Sequence, residues 1–211
     1  MVTTASPRSP ELLARATRVS TASAVWTLAT SVVSIAIGVA SGSLALAAFG
    51  AVGVFDCASD VVLIVHFSRE RRGLRADHIE RAAVQVVAVG LVVVGLRTGY
   101  LSLDTLTDPR EIDQSTIGLV VAVVSFAALS VLAFAKRRIA AQLGSHGLRA
   151  DAQLTIVGAV LGAITVAGMA ATAVFGWWWS DPVAALAIAV GALGLSIATF
   201  RSAGGDHTSP A

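Results

Sequence analysis

The chain has 211 residues, of which 55% are hydrophobic and 13% charged, with a formal net charge of +2 at pH 7. Soluble domains carry about 25% charged residues, and a mean hydropathy of +0.79 points away from them as well. A soluble enzyme, a nucleic-acid-binding protein and a disulfide-built domain are excluded, the last because Cys57 is the sole cysteine.

Taken in order, residues 1–18 form a polar tail carrying Pro7, Arg8, Pro10, Arg15 and Arg18. The apolar run behind it is too long for a signal-peptide core, so no cleavable signal is expected. No charge falls between Val19 and Phe55, a run of 37 residues, whereas one crossing needs about 20. "SGS" at Ser41–Ser43 supplies a turn that divides the run. The spacing of charges and turns predicts helices over about 20–40, 43–66, 78–97, 115–135, 150–175 and 181–200. Pro182 suits the first turn of the sixth. The predicted fold is all-α: a polytopic membrane domain over 19–201, between disordered tails at 1–18 and 202–211.

Six crossings put both termini on one side. Thirteen of the fifteen Lys/Arg fall in the N-terminal tail, in "SRERRGLRADHIER", in "KRRIAAQLGSHGLR" and after the sixth helix; Arg97 and Arg110 fall opposite. The positive-inside rule predicts cytoplasmic termini, in the cell membrane. "GLRAD" occurs at 73–77 and 147–151 and reads as a basic loop end followed by an acid near a helix N-terminus.

Asp56 and Asp60 interrupt the second helix at i and i+4. They share one face, about 6 Å apart along the axis. An ionised Asp at mid-membrane costs on the order of 3 kcal/mol, and packing alone does not explain two. The reading is a cation site; the alternative is a hydrogen-bonded pair or a water-lined face. The third candidate is Asp151, which opens the fifth helix ahead of Gln153 and Thr155; it reads equally as an acid favoured by the helix dipole. If the fold brings Asp151 within about 5 Å of Asp56 and Asp60, the opposed carboxylates need a cation or shared protons between them. Glu80 reads as a dipole-favoured acid and Asp181 as an N-cap. Cys57 points about 100° from Asp56 and packs as a small hydrophobe. His66, His78, His146 and His207 read as loop-edge or tail residues. "GAVLG" at 158–162 reads as a small-residue surface for close helix contact.

At these residues the chain resembles the membrane domain of the cation diffusion facilitator family, over about residues 20–200. "SGSLALAAFGAVGVFDCASDVVL" resembles the family's turn into the second helix and its metal residues. "LGSHGLRADAQLT" resembles the start of the fifth helix, and "GWWWSDPVAALAIAV" the turn into the sixth. The resemblance implies export of divalent metal, most often zinc, in exchange for protons, with no prosthetic group. The family's site pairs two residues four apart on the second helix with two four apart on the fifth. It carries the metal site onto Asp56, Asp60 and Asp151. The chain departs from the pattern at Gly147, four residues before Asp151, where a His or Asp is expected. An alternative register puts the second pair at Leu154 and Gly158, with no ligand.

About ten residues follow Phe200, so the family's C-terminal cytoplasmic domain is expected to be absent and any homodimer to form through the helices. An all-oxygen site suits hard or borderline ions, and zinc prefers at least one His or Cys. Zinc therefore stands first by resemblance, with manganese, iron(II) and cobalt open. The competing expectation is a non-transporting scaffold or metal sensor with a degenerate site.

Overall fold

The computed structural model describes residues 10–70, 77–109 and 115–204, and within them not the side chains of 66–70, 77–84, 146–147, 201–204 and a few isolated positions. The side chains of His66, His78, Glu80 and His146, which the sequence singled out, are among those not described, and His207 lies outside the described residues. Six helices follow one another: α1 Pro10–Ser41, α2 Leu44–Glu70, α3 Asp77–Thr107, α4 Thr116–Leu143, α5 His146–Phe175 and α6 Ser180–Gly204. No strand occurs among the described residues. Each helix contains a window long and apolar enough to cross a membrane. The molecule is therefore a multi-pass membrane protein.

Three helices outrun their expected bounds: α1 begins at Pro10, ten residues early and inside the tail expected to be disordered. α3 continues ten residues beyond Arg97, and α4 continues to Leu143 rather than stopping near 135. Charge-free stretches mark where hydrocarbon begins, not where a helix ends, and backbone hydrogen bonding continues into the interface. The consequence is largest for Lys136, which belongs to α4.

The turns are built as their residues dictate. Gly42 has φ +74°, the left-handed conformation that glycine adopts without strain, and it turns α1 into α2 at the "SGS". Gly144 closes α4 with φ 60°, its N–H bonding the carbonyl of Ala140. Ser145 follows at once as the N-cap of α5, accepting from Leu148 N at 3.3 Å. α4 and α5 thus form a tight antiparallel hairpin. Lys136, eight residues before Gly144, comes level with Asp151, seven after it.

The principal helix pairs are α1–α2, α4–α5 and α3–α6, and α2 touches α1, α3, α5 and α6. Glycine permits the closest approach. A Cβ on Gly50 would lie 2.7 Å from the Ser31 carbonyl of α1, and one on Gly168 would lie 2.5 Å from Ala184 of α6. "GAVLG" does not work this way. A Cβ on Gly158 or Gly162 meets its neighbours at 3.4 Å or beyond, ordinary contact, so these glycines leave room rather than force proximity.

The burial pattern is that of a protein in lipid. Ser20, Ser23, Thr27, Ser31 and Ser34 of α1 are buried, while Val93, Val131, Phe134 and Val174 face outward. Polar groups turn inward because the bilayer core offers them nothing, and the hydroxyls of Ser20, Ser23, Thr27 and Ser34 are buried there without a hydrogen-bond partner among the described residues. Phe49, Val52, Leu91, Leu129, Leu161 and Ile188 fill the centre. At one end Trp177 stacks between Phe175 and Trp179, with ring centroids 5.0 and 5.3 Å apart. Trp177, Trp178 and Trp179 are half-exposed, as in an interfacial aromatic belt.

Candidate cation site

The three aspartates singled out by the sequence occupy neighbouring layers of the bundle. Asp60 of α2 and Asp151 of α5 are buried, and Asp56, one turn away, is half-buried. Between Asp60 and Asp151 stands the ammonium of Lys136 from α4. Its Nζ lies 2.5 Å from Asp60 Oδ1 and 2.8 Å from Asp151 Oδ2. It also donates to Thr155 Oγ1 at 3.0 Å, and Thr155 in turn donates to the Asp151 carbonyl at 3.1 Å. A lysine has three N–H donors, and three oxygens from two other helices surround this one. Lys136 is fully buried, at 0% exposure.

Two carboxylates therefore converge from different helices, and the cation between them belongs to the protein. Sharing one nitrogen at 2.5 and 2.8 Å, the facing oxygens of Asp60 and Asp151 lie within about 5 Å of each other. The outer oxygens are differently placed: Asp60 Oδ2 and Asp151 Oδ1 have no hydrogen-bond partner among the described residues. Lone pairs remain on both sides of the ammonium. Among the described residues no three His, Cys, Asp or Glu side chains cluster as a ready metal cage.

Asp56 has a separate environment. It borders a narrow cavity of about 20 Å3, room for about one water. Thr27, Thr30 and Ser31 of α1 line that cavity, facing Leu129 of α4 and Leu154 and Gly158 of α5. The Thr27 hydroxyl is buried without a partner. A Cβ built on Gly158 would stand 3.9 Å from Asp56 Oδ2. Of the two registers for the fifth helix, Leu154 and Gly158 face Asp56. Asp151 lies two turns nearer the α4–α5 turn, in the layer of Asp60.

Lys136 is what sequence reasoning missed. It was counted among the loop cations because it begins "KRR". Two signals pointed to it. The buried positions of α4 are Gly118, Ala122, Ser125, Leu129, Ala133, Lys136, Ala140 and Leu143, a stripe at three- and four-residue spacing that runs through Lys136. Moreover, fourteen of the fifteen basic residues are arginine, and Lys136 is the one lysine in the chain.

Asp181 was read as the cap of its own helix, and it caps another. Its Oδ1 accepts from the Ser43 hydroxyl at 2.6 Å, and its Oδ2 from the backbone N–H groups of Leu44 at 2.7 Å and Ala45 at 3.3 Å. It seals the N-terminus of α2 from the first turn of α6. The DP turn thereby fixes the far end of the helix that carries Asp56 and Asp60. Cys57 is buried and lies 3.4 Å from the Ala24 carbonyl, packing on α1 as its direction on the helix predicts.

A six-helix membrane bundle with acids from two helices facing one cation in its interior defines a class of polytopic proteins built around an intramembrane charge site. Comparison with known families places it further: the chain belongs to the cation efflux family, whose transmembrane-domain profile matches residues 20–206. Over 122 residues it is 29% identical to an uncharacterized transporter of Synechocystis sp.. That stretch covers 58% of this chain and 37% of the relative, so the chain matches well under half of that relative's length.

Proposed function

We propose that this protein is a divalent metal cation transporter, exporting metal from the cytoplasm in exchange for protons through a site built on Asp56, Asp60 and Asp151. The observation that carries the reading is the convergence of Asp60 of α2 and Asp151 of α5, with Asp56 one turn away, inside a membrane-spanning bundle. Intramembrane carboxylates that face the bundle interior mark ion and proton pathways. Membership of the cation efflux family supports metal as the cargo. Zinc stands first by resemblance, and manganese, iron(II) and cobalt suit the all-oxygen donor set. The positive-inside bias supports cytoplasmic termini, with the Lys136 layer on the cytoplasmic side of Asp56. A homodimer formed through the helices fits the same reading.

Proton exchange follows from shared ligands. Metal binding requires ionised carboxylates, so metal and protons compete for the same oxygens. Rocking of the helices that exposed the site to each side in turn would convert that competition into exchange. Zn2+ uptake into proteoliposomes tests the proposal. Uptake should be lost in Asp56→Asn/Asp60→Asn protein that still folds; uptake equal to wild type sinks the reading.

Lys136 lends an observation to the competing reading, a scaffold or sensor without transport. An ammonium already neutralises part of the acid cluster, as it would in a site retired from use. Calorimetric titration of purified protein with Zn2+ separates the two: absence of binding favours the scaffold.

A further inference from the structure

The single lysine of this chain is not at its surface. Every other basic residue is arginine, including Arg137 and Arg138 directly beside it. The two side chains are not interchangeable. Arginine is a broad planar fork, suited to permanent bidentate pairing; lysine is a compact point charge on a flexible four-carbon stem. A chain that uses arginine at fourteen positions places its one lysine where a cation is held by oxygens from two other helices.

The geometry around Nζ resembles the surroundings of a bound cation more than those of a structural pair. Its partners are two carboxylate oxygens and one hydroxyl oxygen, at 2.5, 2.8 and 3.0 Å. They come from α2 and α5, while the stem comes from α4. Asp60 Oδ2 and Asp151 Oδ1 remain without partners, so the carboxylates retain coordination capacity that the ammonium does not use. One turn away, the cavity beside Asp56 carries a further unpartnered hydroxyl, Thr27 Oγ1. The lysine layer lies between that cavity and the α4–α5 turn.

Resting on the metal-transport reading above, we propose that the Lys136 ammonium is a tethered resident cation, which holds Asp60 and Asp151 together when no metal is bound and must leave them when a divalent cation engages the same carboxylates. The lysine thereby sets a threshold for metal entry. A mobile cation wins the pair only by outcompeting one attached to α4, and releasing that pair breaks the charged link that ties α4 to α2 and α5. After the metal departs, the ammonium returns and closes the acids again, so they are not left unpaired in the membrane. No covalent step is involved.

The chain offers a direct test, because it contains one ε-amine. An amine-reactive reagent is applied to the purified full chain with and without saturating Zn2+, and modification at Lys136 is followed by mass spectrometry against the α-amino group. Zn2+ should increase the Lys136 labelling rate several-fold. In parallel, calorimetry compares Zn2+ binding by wild type and Lys136→Met, which should bind about tenfold more tightly or better once the repelling charge is gone. A purely structural lysine predicts the reverse: weaker binding in the variant and no labelling response. Equal affinities, or labelling that Zn2+ leaves unchanged or lowers, overturn the proposal. If Lys136→Met does not fold, labelling of the wild-type protein decides alone. Wild type that binds and transports Zn2+ with an unresponsive lysine refutes only the tethered-cation role. Absence of Zn2+ binding in both proteins refutes the transport reading, and this inference with it.

Discussion

Two levels of α2 bury aspartate partnerships, and they are solved differently. At its N-terminus Asp181 receives a hydroxyl and two backbone N–H groups, all within 3.3 Å. These donors sit on rigid backbone or on a short side chain, and nothing there can be exchanged. Sixteen residues along α2, Asp60 meets a lysine at the end of a flexible stem, and its second oxygen is unpartnered. The first arrangement is a clasp. The second leaves the acid satisfied by something that can move away. Burial of a carboxylate does not by itself mark a functional site; the mobility of what neutralises it does.

The largest expected effect comes from breaking the second arrangement. Lys136→Met leaves Asp60 and Asp151 facing each other without a cation, and removing one partner of a buried pair costs about 3–5 kcal/mol. Denaturant unfolding in detergent micelles measures this loss. Adding Asp60→Asn should recover part of it, because one opposed charge disappears. A double variant as unstable as the sum of the single changes would mean that the two groups do not interact.

Next comes the clasp. Asp181→Ala strands the Ser43 hydroxyl and the Leu44 and Ala45 N–H groups, and removing the side chain that caps a helix N-terminus costs about 0.5–2 kcal/mol, so a loss of about 2 kcal/mol is expected. Its Zn2+ affinity in calorimetry should match wild type. If Asp181→Ala changed affinity as much as Lys136→Met, the distinction between clasp and exchangeable pair would collapse.

The sequence disclosed the acids and concealed their cation, for a physical reason. Asp56 and Asp60 stand out because a carboxylate in an apolar run has no cheap explanation. Asp151 stood at a helix start, where the helix dipole also explains an acid, so only the bundle could decide what it faces. Lys136 was hidden by its neighbours: "KRR" reads as a cytoplasmic flank, and the end of α4 was inferred from where charge begins. A helix is extended by its hydrogen bonds and not by hydropathy, and a hairpin as tight as Gly144–Ser145 carries the first residue of that flank back into the bundle. The turns were easier. "SGS" needs a left-handed residue, and Gly42 supplies it. Asp181 was recognised as a cap, but which helix it caps depended on tertiary contact 138 residues away.

A smaller change separates the lysine's supports. Thr155→Val keeps shape and removes the hydroxyl that accepts from Lys136. The expected loss is about 1 kcal/mol, because both carboxylates still hold the ammonium. The effect should vanish in a Lys136→Met background. Thr165→Val removes a buried hydroxyl on the same helix that donates to the Leu161 carbonyl, and should show no such dependence.

The smallest effect on stability tests the space rather than the charge. Gly158 lies beside Asp56, and an added Cβ would sit 3.8 Å from Leu129 and 3.9 Å from Asp56 Oδ2. Neither distance is a clash, and alanine favours a helix interior over glycine by up to about 1 kcal/mol. Gly158→Ala should therefore be neutral or slightly stabilising in thermal unfolding. The cavity it enters is only about 20 Å3, however, so one methyl takes space that a metal or its water would use. Zn2+ uptake into proteoliposomes should fall while the fold is unharmed. Gly162→Ala, one turn away against Phe49 and Phe126, also replaces a glycine of α5 but not beside Asp56. If both variants slow uptake equally, helix stiffening is the cause; a loss confined to Gly158→Ala assigns the effect to the space at Asp56, in the layer that Lys136 does not fill.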